Sequence, residues 1–284
     1  MEKTKKISGW QIHNQEKLFY QTNIGAPTVR LKFFHYPLYH QKVKINKFPE
    51  KCKLIIKEKN SFFIFQHQVG KKGIISLDRI SSIIPILSNV NPNDDWGKIS
   101  DFPQLLRRKY KQSSRYWPTQ SSIIEDVSKE EWYTLDDLSC WVKSASNYIE
   151  SKIKHRENQE ERLGADYAFF QGVGDCDEFT DLFITIARMR GLPCRRLTGF
   201  FITRKKEIVA EAHAWGEIFS FKQNWIPIDI AQNNIGKYSI NYVILKIEEF
   251  NPALPDYEIK TKGSSKIHYK WERFNPAVTP IYGL

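Results

Sequence analysis

Cys176 is the residue whose surroundings are best suited to nucleophilic chemistry. It follows the glycine-rich segment 172–174 and precedes apolar residues at three- and four-residue spacing, a pattern that predicts a helix. Gly191 and Pro193 supply the signal that ends this helix. The first turn of a helix offers unpaired backbone N–H groups and the positive end of the helix dipole, which favour a thiolate and can hold an oxyanion. We therefore predict that Cys176 is a nucleophile.

His213 and Asp229 are the candidate partners of this thiol. They lie in two alternating segments, 211–219 and 225–230, which a polar turn joins, and the pattern predicts a β-hairpin. If the hairpin is symmetric about Phe221, the two residues face each other with Cβ atoms about 4.5–5.5 Å apart. The carboxylate would then orient the imidazole. The three residue types are the nucleophile, base and orienting acid of a thiol acyl-transfer site.

Two residues shortly before the cysteine are candidates for a side-chain donor in an oxyanion hole. Gln171 and Tyr167 could each supply a hydrogen bond to a developing oxyanion. The simpler interpretation is that they are loop residues that anchor the start of the helix. Both interpretations stay open.

The strand of His213 carries further residues on the same face. Trp215 could shield the site, stack on substrate in the cleft, or lie in the core. Glu211 and Glu217 share the face by the same alternation, so either acid could orient His213 in place of Asp229. The assumed hairpin register favours Asp229.

The order of these motifs resembles that of the transglutaminase-like superfamily. The resemblance covers roughly residues 105–245 and rests on Gly174-Asp175-Cys176, Leu182-Phe183, Ala187-Arg188, Gly191-Leu192-Pro193, Arg196, Gly199, His213-Ala214-Trp215 and Asp229. It implies a papain-like α+β core in which Cys176, His213 and Asp229 form the catalytic triad. Members of the superfamily include crosslinking transglutaminases, cysteine proteases, peptide N-glycanases and inactive domains, so the resemblance implies a chemistry and not a substrate.

Two further elements of the core follow from local patterns. Residues 134–137 resemble a capping box, and the apolar positions that follow, up to Ile153, predict a helix that packs beside the Cys176 helix. Segments 257–260 and 267–271, around the turn residues 263–265, predict a closing hairpin. The hairpin either completes the catalytic sheet or returns to the N-terminal part of the chain.

The residues before the core predict a small β-rich domain of sandwich or barrel type. Short strand-like segments recur about every ten residues, at 42–45, 52–56, 62–65 and 73–77. The polar and turn-rich residues 91–95 predict a boundary. The expected organisation is an N-terminal domain of residues 1–95 and a catalytic domain of residues 96–284.

The other cysteines show no pattern of a metal site or disulfide framework. Cys52, Cys140 and Cys194 form no C-x-x-C pair with each other or with Cys176. We expect no metal, no cofactor and no structural disulfide. Cys140 and Cys194 are interpreted as packing residues.

Composition indicates a folded protein with a basic surface. The chain has 284 residues, of which 41% are hydrophobic and 14% aromatic, and its formal net charge is +11. This charge predicts at most a weak association with polyanions, because the lysines are spread along the chain and no nucleic-acid motif accompanies them. No secretory signal or membrane-spanning segment is visible, so we expect a cytoplasmic protein without membrane insertion.

The favoured function is that of a cysteine-dependent acyl-transfer enzyme, acting as a protease- or amidase-type hydrolase on peptide or carboxamide bonds of a peptide or protein substrate. Hydrolysis is favoured because the chain shows neither a calcium-site pattern nor secretory features. Three alternatives stay open: a protein-glutamine gamma-glutamyltransferase that transfers the acyl group to an amine, a non-catalytic binding module, and a basic protein associated with nucleic acid.

Overall fold

Both ends of the chain build one β-sandwich, and the middle of the chain builds an α+β core beside it. The structure, a computed structural model, describes residues 6–23, 27–57, 59–156, 161–204, 206–262 and 266–283. None of the helices in these ranges is long and apolar enough to cross a membrane. The α+β class and the β-rich N-terminal region agree with the sequence prediction.

The elements in chain order are β1 (Ile7–Thr22), β2 (Thr28–His35), β3 (Gln41–Lys47), β4 (Cys52–Lys57), β5 (Asn60–Gln68), β6 (Lys72–Pro85), β7 (Ser88–Asn89), α1 (Gln104–Tyr110), α2 (Ile123–Val127), α3 (Leu138–Lys152), β8 (Lys154–His155), α4 (Ala165–Gln171), β9 (Val173–Gly174), α5 (Cys176–Met189), β10 (Cys194–Arg204), β11 (Ile208–Ser220), β12 (Asn224–Asp229), β13 (Asn234–Ile235), β14 (Lys237–Tyr238), β15 (Tyr242–Glu248), β16 (Tyr257–Thr261), β17 (Ile267–Arg273) and β18 (Ala277–Tyr282). Short 3-10 helices span Ile99–Asp101, Glu131–Thr134 and Ile230–Gln232.

The sandwich consists of two antiparallel sheets. One runs in the order β17, β1, β6 and β3, with β18 also paired to β1, and the other runs β16, β2, β5 and β4. Alternate residues of the strands point inward, as the period of two in a strand requires. Their buried side chains form one core between the sheets, made of Leu18, Val29, Leu31, Phe33, Phe63, Phe65, Ile75 and Leu77.

The last strands do not form the predicted closing hairpin. β16 pairs with β2 and β17 pairs with β1, so the two strands lie in different sheets of the sandwich. The predicted turn, residues 263–265, lies outside the described residues. The strand pattern of a segment does not specify its partner, and the free edges of β1 and β2 supply better partners than the segments supply each other. The C-terminal strands of the predicted catalytic domain, residues 96–284, therefore join the N-terminal sheets. The domain boundaries stay a prediction.

The α+β core packs helix α5 against an antiparallel sheet of order β13, β12, β11, β10 and β15. Nearly every residue of α5 is buried, because the helix lies between this sheet and the other helices. The predicted packing of α3 beside α5 is present: Trp141 of α3 and Phe183 of α5 have ring centroids 6.4 Å apart. Asp137 caps α3 by accepting a hydrogen bond from the Cys140 N–H at 2.8 Å.

The sandwich is fixed to the core sheet by apolar contacts and by hydrogen bonds to β15. Trp10 and Ile83 of the sandwich share a buried cluster with Ile202 and Val243 of the core. Gln41 donates to the Ile244 carbonyl at 2.7 Å and accepts from the Ile244 N–H at 3.0 Å. This interface places the sandwich beside the end of the sheet where the candidate site lies.

Candidate active site

Cys176 is the first residue of α5, at the position that the sequence predicts for it. Asp175 caps the helix and accepts from the Asp177 N–H at 2.8 Å, and Glu178 accepts from the Asp175 N–H at 3.2 Å, which completes a capping box. Gly174 is required by close packing, since a Cβ there would lie 2.4 Å from the Glu178 Cβ. The thiol is therefore held at a helix start of defined geometry.

A buried charge network ties the start of α5 to the sheet. Arg196 of β10 pairs with the Asp177 carboxylate, and its Nε lies 3.2 Å from Glu248 Oε2 of β15. Arg162 makes two hydrogen bonds of 2.7 Å to Asp181, one turn further along α5. Burial alone would raise the pKa of Asp177, but Arg196 outweighs it and holds the pKa below its usual value. No local pattern in the sequence predicts this network.

His213 and Asp229 lie together, and both are buried, with 7% and 1% of their surfaces exposed. His213 Nε2 donates to Asp229 Oδ2 at 2.7 Å. The Tyr242 hydroxyl donates to the same oxygen at 2.7 Å, and the Gln232 N–H donates to Oδ1 at 3.2 Å. Sequence reasoning missed Tyr242, whose only signal is its place in the apolar strand β15. The carboxylate is thus oriented by three donors.

The hairpin register differs from the predicted one. β11 and β12 pair Gly216 with Ile228 and Ser220 with Asn224, so the hairpin is centred on position 222 and not on 221. His213 consequently has no directly opposed residue in β12. It reaches Asp229 diagonally, which is possible because a register shift of two positions keeps the side chains on the same face.

His213 also interacts with the Cys176 side chain, which raises the pKa of the imidazole. Nε2 faces Asp229, which leaves Nδ1 for the sulfur. Burial alone would lower the pKa of His213, but the hydrogen bonds and charges of Asp229 and Cys176 raise it to about 10. The imidazole is therefore positively charged at neutral pH, between a carboxylate and the sulfur.

The protonation of His213 can be measured directly. Below a pH of about 10 the ring should carry both protons, and above it the ring should be neutral, so its NMR resonances should titrate with a midpoint far above the ordinary 6.5. His213→Gln assigns the signal. His35 is the internal control, because burial and the nearby Arg79 lower its pKa to about 3. Asp229→Asn should shift the His213 midpoint downward; a wild-type midpoint near 6.5 would contradict the proposed electrostatics.

The two other acids on the strand of His213 have different hydrogen-bond partners. Glu217 is fully buried and accepts from Arg195 Nε at 2.6 Å, from the Tyr238 hydroxyl at 2.6 Å and from the Tyr39 hydroxyl at 3.1 Å. Glu211 is exposed and accepts from Thr203 at 3.3 Å. Glu217 is thus held by Arg195, Tyr238 and Tyr39, whereas the partner of His213 is Asp229.

Neither oxyanion candidate is among the described residues that line the cleft with Cys176. Gln171 is exposed at the end of α4, and the Tyr167 hydroxyl accepts from Arg156 at 3.5 Å. Trp215 is fully buried, so it cannot stack on substrate; its ring stacks on His213 with centroids 5.9 Å apart. Its indole N–H donates to the Tyr238 hydroxyl at 3.2 Å.

Cys176 and His213 open into a cleft of about 560 Å³ between the core and the sandwich. The volume is within the range of ligand pockets, about 300–1,000 Å³. Among the described residues, Asp175, Cys176 and Asp177 could jointly face a metal, since their ligand atoms lie within 4.8 Å of one another. However, Asp175 is engaged in the helix cap and Asp177 with Arg196, so a cation would have to compete with both.

Comparisons with solved structures found proteins of similar structure. A candidate cysteine protease from Cytophaga hutchinsonii has a similar structure, with a TM-score of 0.59 and 14% identity over 97% of this chain and 94% of that chain. The periplasmic domain of TgpA from Pseudomonas aeruginosa, bound to ethylmercury, gives a TM-score of 0.40 and 12% identity over 80% of this chain and 90% of that chain. No curated protein matches the sequence.

At 14% identity the likeness to the Cytophaga protein shows a shared fold only. The sequence itself matches the model of the transglutaminase-like superfamily over residues 126–230, which include α3, α5 and the strands of the candidate triad. The matched segment contains Cys176, His213 and Asp229. Over residues 126–230, this chain is therefore similar to the transglutaminase-like superfamily.

Proposed function

We propose that this protein is a cysteine-dependent acyl-transfer enzyme that hydrolyses peptide or carboxamide bonds. The observation that carries the proposal is the hydrogen bond of His213 to Asp229 together with the place of Cys176 and His213 at the wall of one cleft. A thiol, an imidazole and a carboxylate in this order are the parts of a thiol acyl-transfer site.

In the proposed mechanism the Cys176 sulfur, as a thiolate beside the His213 imidazolium, attacks the carbonyl carbon of the scissile amide. The carbonyl π bond breaks as the S–C bond forms, and the oxygen becomes an oxyanion. His213 then gives a proton to the leaving nitrogen, and the C–N bond breaks to leave a thioester. Water, deprotonated by His213, attacks the thioester, releases the acid and restores the thiolate.

The proposed oxyanion donor is the backbone N–H of Cys176. It stands at the first position of α5, where the helix itself provides no acceptor. The positive end of the helix dipole adds to its effect. The Asp177 N–H is already bound to the Asp175 side chain, so it is less available.

Selective alkylation tests the proposed thiolate. At pH 6 an ordinary thiol is almost entirely protonated, so iodoacetamide should label Cys176 at least about tenfold faster than the other cysteines. Burial raises the pKa of Cys52 to about 12 and also raises that of Cys194. Cys140 is the most stringent comparison, because its side chain is exposed. It is therefore not the packing residue that the sequence analysis expects. Mass mapping that finds Cys140 labelled as fast as Cys176 would refute the thiolate.

A peptide-library digestion tests the reaction class. Incubation with and without an amine acceptor separates hydrolysis, which gives new carboxyl termini, from amine transfer, which adds the amine mass to the acyl product. We expect new carboxyl termini in both conditions. Amine adducts as the main product would favour the gamma-glutamyltransferase alternative, and no product at all would favour a binding module.

A further inference from the structure

The two C-terminal strands form one interrupted strand along β1, and the interruption lies at the wall of the catalytic cleft. β17 ends opposite Glu16 and β18 begins opposite His13, so the three residues 274–276 face only two residues of β1. One extra residue of this kind is a β-bulge, which redirects side chains and is common beside active sites. All three bulge residues line the cavity that contains Cys176.

The position of Asn275 in the bulge places its side chain on the cavity face of the strand. Arg273 is on this face, because it pairs with Asp256 of the cavity wall at 2.9 Å. Residues two apart in a strand share a face, so Asn275 is on the cavity face as well. The ring of Phe274, which lies between them, is 5.5 Å from Nζ of the exposed residue Lys17.

The Asn275 side chain is accessible to a ligand in the cleft. The residue is exposed, and within the part of the chain that the structure describes its side-chain amide has no hydrogen-bond partner. The amide carries both an acceptor oxygen and an NH₂ donor. It can therefore exchange bound water for a donor and an acceptor of a ligand at the same time.

Two other amide side chains of this protein show how such a group binds an extended chain. Asn60 donates to the Ile247 carbonyl at 2.9 Å and accepts from the Ile247 N–H at 2.9 Å. Gln41 makes the same pair of bonds with Ile244 of the same strand. In both cases the N–H and C=O belong to one residue, whose two groups point to the same side of a strand. One side-chain amide thus matches one residue of an extended chain.

We propose that Asn275 forms a substrate subsite that binds one residue of an extended peptide through both its N–H and its C=O. The peptide carbonyl accepts from the Asn275 NH₂ group, and the peptide N–H donates to Oδ1. This inference rests on the proposed function, since the bound peptide is the one whose scissile bond faces Cys176. The subsite recognises an extended main chain and no particular side chain.

A neutral main chain fits this wall better than a charged group does. The exposed cation beside Asn275 is Arg273, which donates to Asp256 Oδ2 at 2.9 Å. The other oxygen of the same carboxylate accepts from Lys246 at 2.9 Å. The charges next to Asn275 are therefore paired with one another, and the amide adds hydrogen-bonding groups without adding charge.

Binding of peptides to Cys176→Ala tests the subsite without turnover. The parent probe is acetyl-pentaalanine amide, and five analogues each carry one N-methylated alanine, at successive positions. N-methylation removes one N–H donor and keeps every side chain. Dissociation constants are measured by calorimetry. We expect the parent to bind, and the analogue methylated at the residue that Asn275 holds to bind about fivefold more weakly, the value of one hydrogen bond.

The informative variant adds Asn275→Ala to Cys176→Ala. The parent should bind about tenfold more weakly, because two hydrogen bonds are lost. The penalty for N-methylation at the held residue should disappear, because its acceptor is gone. Asn275 is exposed, so the fold should be kept. Asn89→Ala removes an exposed amide of β7 outside the cavity, and this matched control should keep both the parent affinity and the methylation penalty.

Three results overturn the subsite. They are no binding of the parent at millimolar concentration, an unchanged parent affinity after Asn275→Ala, and the same pattern of methylation penalties with and without Asn275. The proposed function fails separately, because calorimetry measures binding and not cleavage. A wild-type protein that cleaves no peptide would contradict the hydrolase, whereas cleaved peptides that bind equally well with and without Asn275 would contradict the subsite alone.

Discussion

Cys176→Ala should reduce turnover of a cleaved peptide by a factor on the order of 10⁶. Removing the nucleophile of a triad costs about this much, because the remaining groups cannot form the covalent intermediate. Cys176 is only partly buried at the start of α5, so the loss of one sulfur atom should leave the fold intact. The measurement is the single-turnover rate with a peptide from the library digestion.

The matched control is Cys140→Ala, which removes an exposed thiol at the start of another helix. It should keep the wild-type rate within about twofold, since surface substitutions away from a site have small effects. If Cys176→Ala retained more than a thousandth of the wild-type rate in a folded protein, the covalent mechanism would have to be abandoned.

Asp229→Asn should reduce turnover by a factor on the order of 10⁴, the loss found for the equivalent change in a serine triad. The asparagine amide can donate toward His213 and favour the wrong tautomer, and it removes the charge that helps to raise the pKa of His213 to about 10. A thiol enzyme that already holds its thiolate could lose less. The test combines turnover with the NMR titration of His213, which should shift downward in the same variant.

Two control variants separate the effect of the Asp229 charge on turnover from the effects of neighbouring residues. Tyr242→Phe removes one donor to Asp229 Oδ2 and should cost about 10- to 100-fold in turnover, the value of one hydrogen bond to a charged group. Glu217→Gln should weaken stability but keep turnover, because Glu217 is bound to Arg195 and Tyr238. Loss of turnover in Glu217→Gln, with Asp229→Asn near wild type, would mean that the orienting acid is misassigned.

The features that the sequence determines by itself are those specified by residues close together in the chain. The helix start at Cys176 depends on Asp175 and Glu178, which lie within three residues of it, and the caps and apolar spacing that specify a helix act over one or two turns. The strands of the β-rich region follow from a period of two in the same way. The three candidate functional residues could therefore be named before the structure, because each stands in a locally readable element.

Only the tertiary structure decides which distant segments meet. The sequence pattern predicts that His213 and Asp229 lie on the same face of the hairpin. A register shift of two positions leaves both side chains on that face, so the pattern could not distinguish the observed register from the predicted one. Nor could it show that Tyr242 binds Asp229, or that β16 and β17 return to β2 and β1. These pairings depend on the free energy of the whole fold. Glu16 of β1 and Arg79 of β6 line the same cavity as Cys176 for the same reason: both strands are far from Cys176 in sequence, and only the packing of the sandwich against β15 places them beside the core.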